Sequence, residues 1–180
     1  MKRRLFLGGL AAAPAWSAAG FRVSHPDGHF ETVDPGQYRA TVLLFLSNVC
    51  PISNDYQDRI REMMAAFAGR PARFVLLNAN DNETGEETAR YAADVRFAAP
   101  VYKDWRNTVA TRYGAAMTPE AVVLDAAGEV RYRGAIDDAR NPARVRITAV
   151  RTAVEDLLAG RAVSVKPIRA FGCAIKKVST

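Results

Sequence analysis

The chain has 180 residues, 49% of them hydrophobic and 24% charged, the balance of one ordinary globular domain and not of a disordered or fibrous chain. Its net charge is +6, and Lys2, Arg3 and Arg4 supply three of those charges within the first four residues. The remaining excess is too mild and too dispersed to imply a nucleic acid partner.

The opening stretch MKRRLFLGGLAAAPAWSAAGF has a basic start, a short apolar run and the small residues Ser17, Ala18 and Ala19, the pattern of an export signal. Arg3 to Leu7 also resembles the twin-arginine signal of bacteria. The apolar run, stopped by Pro14, is well short of the roughly 20 residues that span a bilayer. Residues 1–19 are therefore expected to be a signal peptide and residues 20–180 a single domain, periplasmic or secreted, with no membrane span after removal. Outside the cytoplasm thiols oxidise, so the two cysteines, Cys50 and Cys173, are read as a structural disulfide or a redox pair. The two histidines, His25 and His29, flank Pro-Asp-Gly, which is turn chemistry. They are placed in a solvated loop, with no metal or other cofactor expected.

Arg39 to Ser47 is a continuous apolar run rich in strand formers, the signature of a buried strand. From Pro51 the period changes, and Ile52, Tyr56, Ile60, Met63 and Phe67 line one face of a helix that Gly69 stops. Arg73 to Asn80 is the next strand. Thr84 and Glu87 then have the spacing of a capping box at the start of a second helix. A short strand within Ala99 to Asp104 precedes a helix N-capped by Asp104 and ended by Gly114. Glu120 to Ile136 reads as a hairpin around Asp125-Ala126-Ala127-Gly128, and a last helix spans Arg144 to Ala159. This order predicts an α/β domain whose mixed central sheet is flanked by helices, and it suits a thioredoxin-like fold.

Cys50 thus stands where a buried strand becomes a helix. A thiol attacks as its thiolate, and the unpaired N–H groups and partial positive charge of a first helical turn favour an anion there. The polar neighbours Ser47, Asn48, Ser53, Asn54 and Asp55 suggest an opening to solvent, although a buried, inert cysteine is the alternative. Thr118-Pro119, just ahead of a strand, is a candidate cis peptide.

The segments SNVCPISNDYQDRI, YGAAMTPEAVVLDAAGEVRYRGAIDD, DLLAGRAV and FGCAIK, in that order, resemble the bacterial redoxins. These are peroxiredoxin-like members of the thioredoxin superfamily related to alkyl hydroperoxide reductase and thiol-specific antioxidant proteins. The likeness runs from about Thr32 to Lys176. It implies Cys50 as the redox cysteine, with Pro119 as a cis-proline facing it. Ser53 stands where a Cys-x-x-Cys protein carries its second thiol. Leu43 and Ser47 stand where peroxiredoxins carry proline and threonine, so Ser47 keeps a hydroxyl at the peroxide-binding position. Arg131 matches the spacing of the peroxiredoxin arginine that stabilises the thiolate.

The resemblance implies a thiol peroxidase: Cys50 attacks a peroxide and becomes a sulfenic acid, and Cys173, the one other thiol, resolves it to a disulfide. Ser47, the backbone of Pro51 to Ser53 and Arg131 would stabilise the leaving oxygen, and Thr118 and Pro119 would line the substrate position. The expected partners are a peroxide or a protein disulfide as substrate and a thiol reductant such as a thioredoxin-like protein. Two alternatives stay open. One is thiol–disulfide exchange through a single cysteine. The other is a non-catalytic domain in which a Cys50–Cys173 bridge closes a long loop and stabilises by about 4–5 kcal/mol.

Overall fold

The computed structural model describes residues 20–178; the signal-peptide reading of residues 1–19 lies outside them. In chain order the elements are β1 (Phe21–Ser24), β2 (Phe30–Val33), β3 (Ala40–Leu46), α1 (Pro51–Asp55), α2 (Gln57–Ala66), β4 (Ala72–Asn78), α3 (Gly85–Val95) and β5 (Val101–Lys103). They continue with α4 (Thr108–Tyr113), β6 (Met117–Thr118), β7 (Glu120–Asp125), β8 (Val130–Gly134), α5 (Ala149–Leu158) and β9 (Cys173–Ala174).

All seven residues of β3 are buried, because the strand runs through the middle of the sheet with a layer on each face. The strand order is β2-β1-β5-β4-β3-β7-β8. The neighbours β3, β4 and β5 are parallel, whereas β7 and β8 return antiparallel on one side and β1 and β2 on the other. Alternation along β3 divides the core. Val42, Leu44 and Leu46 pack beneath α2, α3 and α5, and Leu43 and Phe45 join Val109, Ala110 and Tyr113 of α4 on the other face. The fold is thioredoxin-like, as the element order predicts.

Local chemistry explains where elements depart from the pattern. The predicted long helix after Pro51 is jointed at Tyr56, whose hydroxyl donates to Asp137 at 2.7 Å while the Arg59 guanidinium lies 3.6 Å from the ring centre. The last helix starts at Ala149 and not Arg144, because Asp138 accepts the N–H groups of Arg146 and Ile147 and keeps that stretch out of the helix. Asp104 caps α4 from further back than expected, accepting from Val109 N and Ala110 N across a turn in which Arg106 and Asn107 have positive φ. The His25 to His29 segment is the turn of the β1–β2 hairpin, closed by Gly28 N–H to the His25 carbonyl.

After α5 the chain crosses back without regular structure as far as β9. Its start is tied to the helix by Asp156, which accepts from Ser164 N at 2.9 Å and Ser164 Oγ at 2.7 Å and pairs with Arg161. The two Ser164 bonds and then Arg161 hold the Asp156 carboxyl down at about 2, below its ordinary 3.8. A depressed carboxyl stabilises the fold above its unfolded pKa, and that contribution disappears as pH falls through the folded value. The advantage of wild type over Asp156→Asn should therefore shrink as pH is lowered from about 4 to about 2, read from thermal unfolding at a series of pH values. A gap that stays constant over that range rejects the anchor.

Candidate functional site

β3 delivers Cys50 to the rim of the sheet, where it is the N-cap of α1. Its sulfur accepts from Ser53 N–H at 3.4 Å and, as a thiol, donates to the Thr118 carbonyl at 3.2 Å. The Thr118–Pro119 peptide is cis. Cys50 is only 1% exposed, so the polar residues around it do not open it to solvent. The cover is β9, which pairs antiparallel with β6 in the register Met117↔Ala174 and Thr118↔Cys173.

That pairing brings Cys173, the better exposed of the two cysteines, to Cys50; both thiols are free. Burial by itself pushes the Cys50 thiol up, but hydrogen bonds from the Cys173 thiol, Ser53 N–H and Thr118 outweigh it and leave Cys50 below its ordinary 9.0. Cys173 moves the opposite way, raised by its hydrogen bond to Cys50, by burial and by the negative charge Cys50 gains on ionising. The two shifts run in opposite directions, which favours ionisation at Cys50 over Cys173.

The loop carrying Cys50 rests on a carboxylate that the sequence reading missed. Glu83, 2% exposed, accepts from Ser47 Oγ at 2.6 Å, from Asn48 N at 2.6 Å and from Asn78 Nδ2 at 2.8 Å. The Ser47 hydroxyl in turn accepts from Val49 N and Cys50 N. The β4–α3 loop that carries Glu83 also holds the far side of β9: Asn80 accepts from Lys176 N at 2.9 Å, and Asp81 N–H donates to the Lys176 carbonyl at 2.8 Å. Glu120, 6% exposed, accepts from Ala116 N and Met117 N and so fixes β6 from the other side.

Two further positions are backbone matters. Gly172 has φ +151°, and a Cβ there would lie 2.1 Å from the Thr118 carbonyl oxygen, so the residue before Cys173 must be glycine for the strands to meet. Gly134 plays the same part upstream, where a Cβ would lie 2.1 Å from the Ile168 carbonyl oxygen. A glycine directly before a cysteine was the available signal for Gly172; Glu83 and Glu120 read as ordinary loop and strand-start acids.

The predicted residues therefore divide. Cys50, Cys173 and Thr118 come together at one point, with Pro119 next to them and the N–H of Ser53 on the sulfur. Pro51 is exposed at the start of α1. The Ser53 hydroxyl turns inward and accepts from Ser47 N at 3.1 Å, which makes it part of the support for the loop. Ser47 does not present a free hydroxyl for peroxide, since its proton is given to Glu83 and its oxygen to two N–H groups. Arg131 is not at the site. It pairs with Asp125 at 2.5 Å, at the end of β7 that lies beside Ala40, whereas Glu120 and Phe45 mark the end nearer Cys50. Its spacing matches the peroxiredoxin pattern, but the hairpin carries it to the opposite end of the sheet. Among the described residues no group of three His, Cys, Asp or Glu side chains is placed to hold a metal ion, and no helix is long and apolar enough to cross a membrane.

A thioredoxin-like sheet with a cysteine capping the helix after its central strand defines the redoxin class. The family model described as AhpC/TSA matches residues 11–133, and the chain belongs to that family. Among solved structures it is similar to a hypothetical protein from Sinorhizobium meliloti, 28% identical with a TM-score of 0.81 over 91% of this chain and 94% of that one. It is equally similar to an uncharacterized conserved protein from Geobacillus kaustophilus, 29% identical with a TM-score of 0.81 over 91% and 92% of the two chains. A secreted disulfide oxidoreductase from Mycobacterium tuberculosis shares the fold at 16% identity and a TM-score of 0.54, covering 78% of this chain and 95% of that one. No curated protein matches the chain.

Replacing Glu83 by glutamine puts an amide donor among three donors, and leaving one of them unpaired should cost about 1–3 kcal/mol in urea unfolding. An unchanged midpoint would reject this role for Glu83. Cys173→Ala removes the thiol that lowers the Cys50 pKa, so the midpoint of thiolate ultraviolet absorbance for Cys50 should rise relative to wild type. A fall, or no change, would mean that Cys173 does not hydrogen bond to the Cys50 sulfur.

Proposed function

We propose that this protein is an exported thiol oxidoreductase whose Cys50 and Cys173 alternate between dithiol and disulfide. One observation carries the reading: two free thiols meet across Thr118, with the pKa of one lowered and that of the other raised. The Cys50 thiolate attacks one sulfur of a substrate disulfide and expels the other sulfur as a thiolate. Cys173 then gives up its proton and attacks the Cys50 sulfur, which releases the second substrate thiol and closes Cys50–Cys173. Two electrons and two protons pass to the substrate, and a thiol reductant, such as a thioredoxin-like protein, restores the dithiol. The basic and apolar opening of the sequence supports a periplasmic or secreted site of action.

Peroxide reduction is the second reading, and membership of the AhpC/TSA family favours it. There the Cys50 thiolate would take a hydroxyl from the O–O bond while the other oxygen leaves with a proton, and Cys173 would displace water from the sulfenic acid. The support at this site is thin, because the Ser47 hydroxyl is already engaged and Arg131 lies elsewhere. Disulfide exchange needs neither group.

Oxidising the reduced protein with one equivalent of diamide, then blocking free thiols and mapping the peptides, should yield a single intramolecular link between Cys50 and Cys173. Two alkylatable thiols after that treatment would overturn the pair. Comparing the second-order rates of the reduced protein with glutathione disulfide and with hydrogen peroxide then ranks the two substrates. A large preference for peroxide would put peroxide reduction ahead of disulfide exchange.

A further inference from the structure

We infer that the basic rim around Cys173 is the docking surface for an acidic protein, the dithiol partner that returns the Cys50–Cys173 disulfide to thiols. The inference rests on the two cysteines cycling between disulfide and dithiol, and it names the chemistry of the partner that meets them. The segment from Arg161 to Val178 carries Arg161, Lys166, Arg169, Lys176 and Lys177 and contains no Asp or Glu. Arg161 is paired with Asp156. Lys166, Arg169, Lys176 and Lys177 are exposed, and among the described residues none of them forms an ion pair.

Cys173 lies between these charges. Along the chain Arg169 is no more than about 13 Å before it and Lys176 no more than about 10 Å after it. Because β9 seats this stretch against Thr118, cations stand on both sides of the sulfur pair. The acids close to the pair are turned the other way. Glu83 and Glu120 are buried and spend their oxygens on donors inside the protein. Asp81, exposed beside Lys176, offsets one positive charge and leaves the rim basic.

On the Arg169 side the rim borders a groove of about 520 Å³, lined by Arg133, Arg169, Met117, Ile168 and Ala170. Arg133 is tethered by the carbonyls of Tyr113 at 3.4 Å and Gly114 at 3.3 Å, and its neighbour Glu120, 4.0 Å away, already holds two N–H groups. A guanidinium has five N–H donors in a fork that matches a carboxylate. An aspartate or glutamate of the partner suits this groove, its carboxylate meeting the guanidinium groups and its methylenes the apolar lining. Such a rim speeds encounter with an acidic face and disfavours a basic one. Once docked, the partner's two thiols become a disulfide, and the two electrons and two protons they give up leave Cys50 and Cys173 as thiols.

The test mixes the oxidised full chain with three dithiol peptides, EEGCGPCGEE, QQGCGPCGQQ and KKGCGPCGKK, and follows loss of the Cys50–Cys173 bond by acid quench, alkylation and mass measurement. Each rate is divided by that of the same peptide with hydroxyethyl disulfide, which removes differences in thiol reactivity. In dilute buffer the acidic peptide should react about tenfold faster than the glutamine peptide and the lysine peptide slower, and the spread should close in about 0.5 M salt. Arg169→Glu combined with Lys176→Glu should reverse the order. Arg39→Glu combined with Arg131→Glu makes the same change in net charge at the opposite end of the sheet and should leave the order as in wild type. Equal normalised rates for the three peptides, or an order that the distant pair alters as much as the rim pair, would overturn the docking surface. So would binding to phosphatidylglycerol vesicles through the rim with no peptide preference, which would identify a lipid surface instead. Uncharged dithiothreitol separates the failures: full reduction by it with no charge order sinks the rim alone, whereas a chain that forms no Cys50–Cys173 bond to be reduced sinks the redox pair as well.

Discussion

The site depends on one close backbone contact, between Gly172 and the carbonyl of Thr118. Without it β9 would stand away from β6, Cys173 would not face Cys50, and the cysteine after the central strand would be open to solvent. The contact sets three properties together: the burial of Cys50, the donor that lowers its pKa and the thiol that can close on it. Burial and ionisation usually oppose each other for a thiol, and in this protein the cover itself supplies the compensating hydrogen bond.

A second constraint makes the contact reproducible. The loop between β4 and α3 reaches both cysteine-bearing segments, with Glu83 gathering the N–H and hydroxyl groups behind Cys50 and Asn80 and Asp81 gripping the segment that follows Cys173. Beneath it Lys103, 1% exposed, donates to the Asn80 carbonyl, and burial pushes its pKa below 10.5. The side-chain nitrogens of Asn48 and Asn80 are buried without a hydrogen-bond partner, while the carboxylate and carbonyl oxygens of the network are paired and join the loops.

The parts of the fold that follow from local periodicity were legible in the sequence. The buried run of β3, the capping box of Thr84 and Glu87 and the Asp125 to Gly128 turn all depend on residues close to one another, and each is where the pattern places it. The boundaries that differ are those where a distant side chain competes for backbone groups, as Asp138 does before α5. The β1–β2 hairpin and β9 were not legible, because two- to four-residue strands carry too little alternation to stand out.

By itself the sequence determined the layered α/β architecture, the position of Cys50 at a strand-to-helix junction and the presence of one other thiol. Those properties follow from hydrophobic spacing, helix caps and composition, all of which act over a few residues. Only the tertiary structure decided that Cys173 covers Cys50, that the hydroxyls of Ser47 and Ser53 support the loop, and that Arg131 lies at the other end of the sheet. The reason is that strand register and loop packing fix distances between residues far apart in the chain, and motif spacing does not record them.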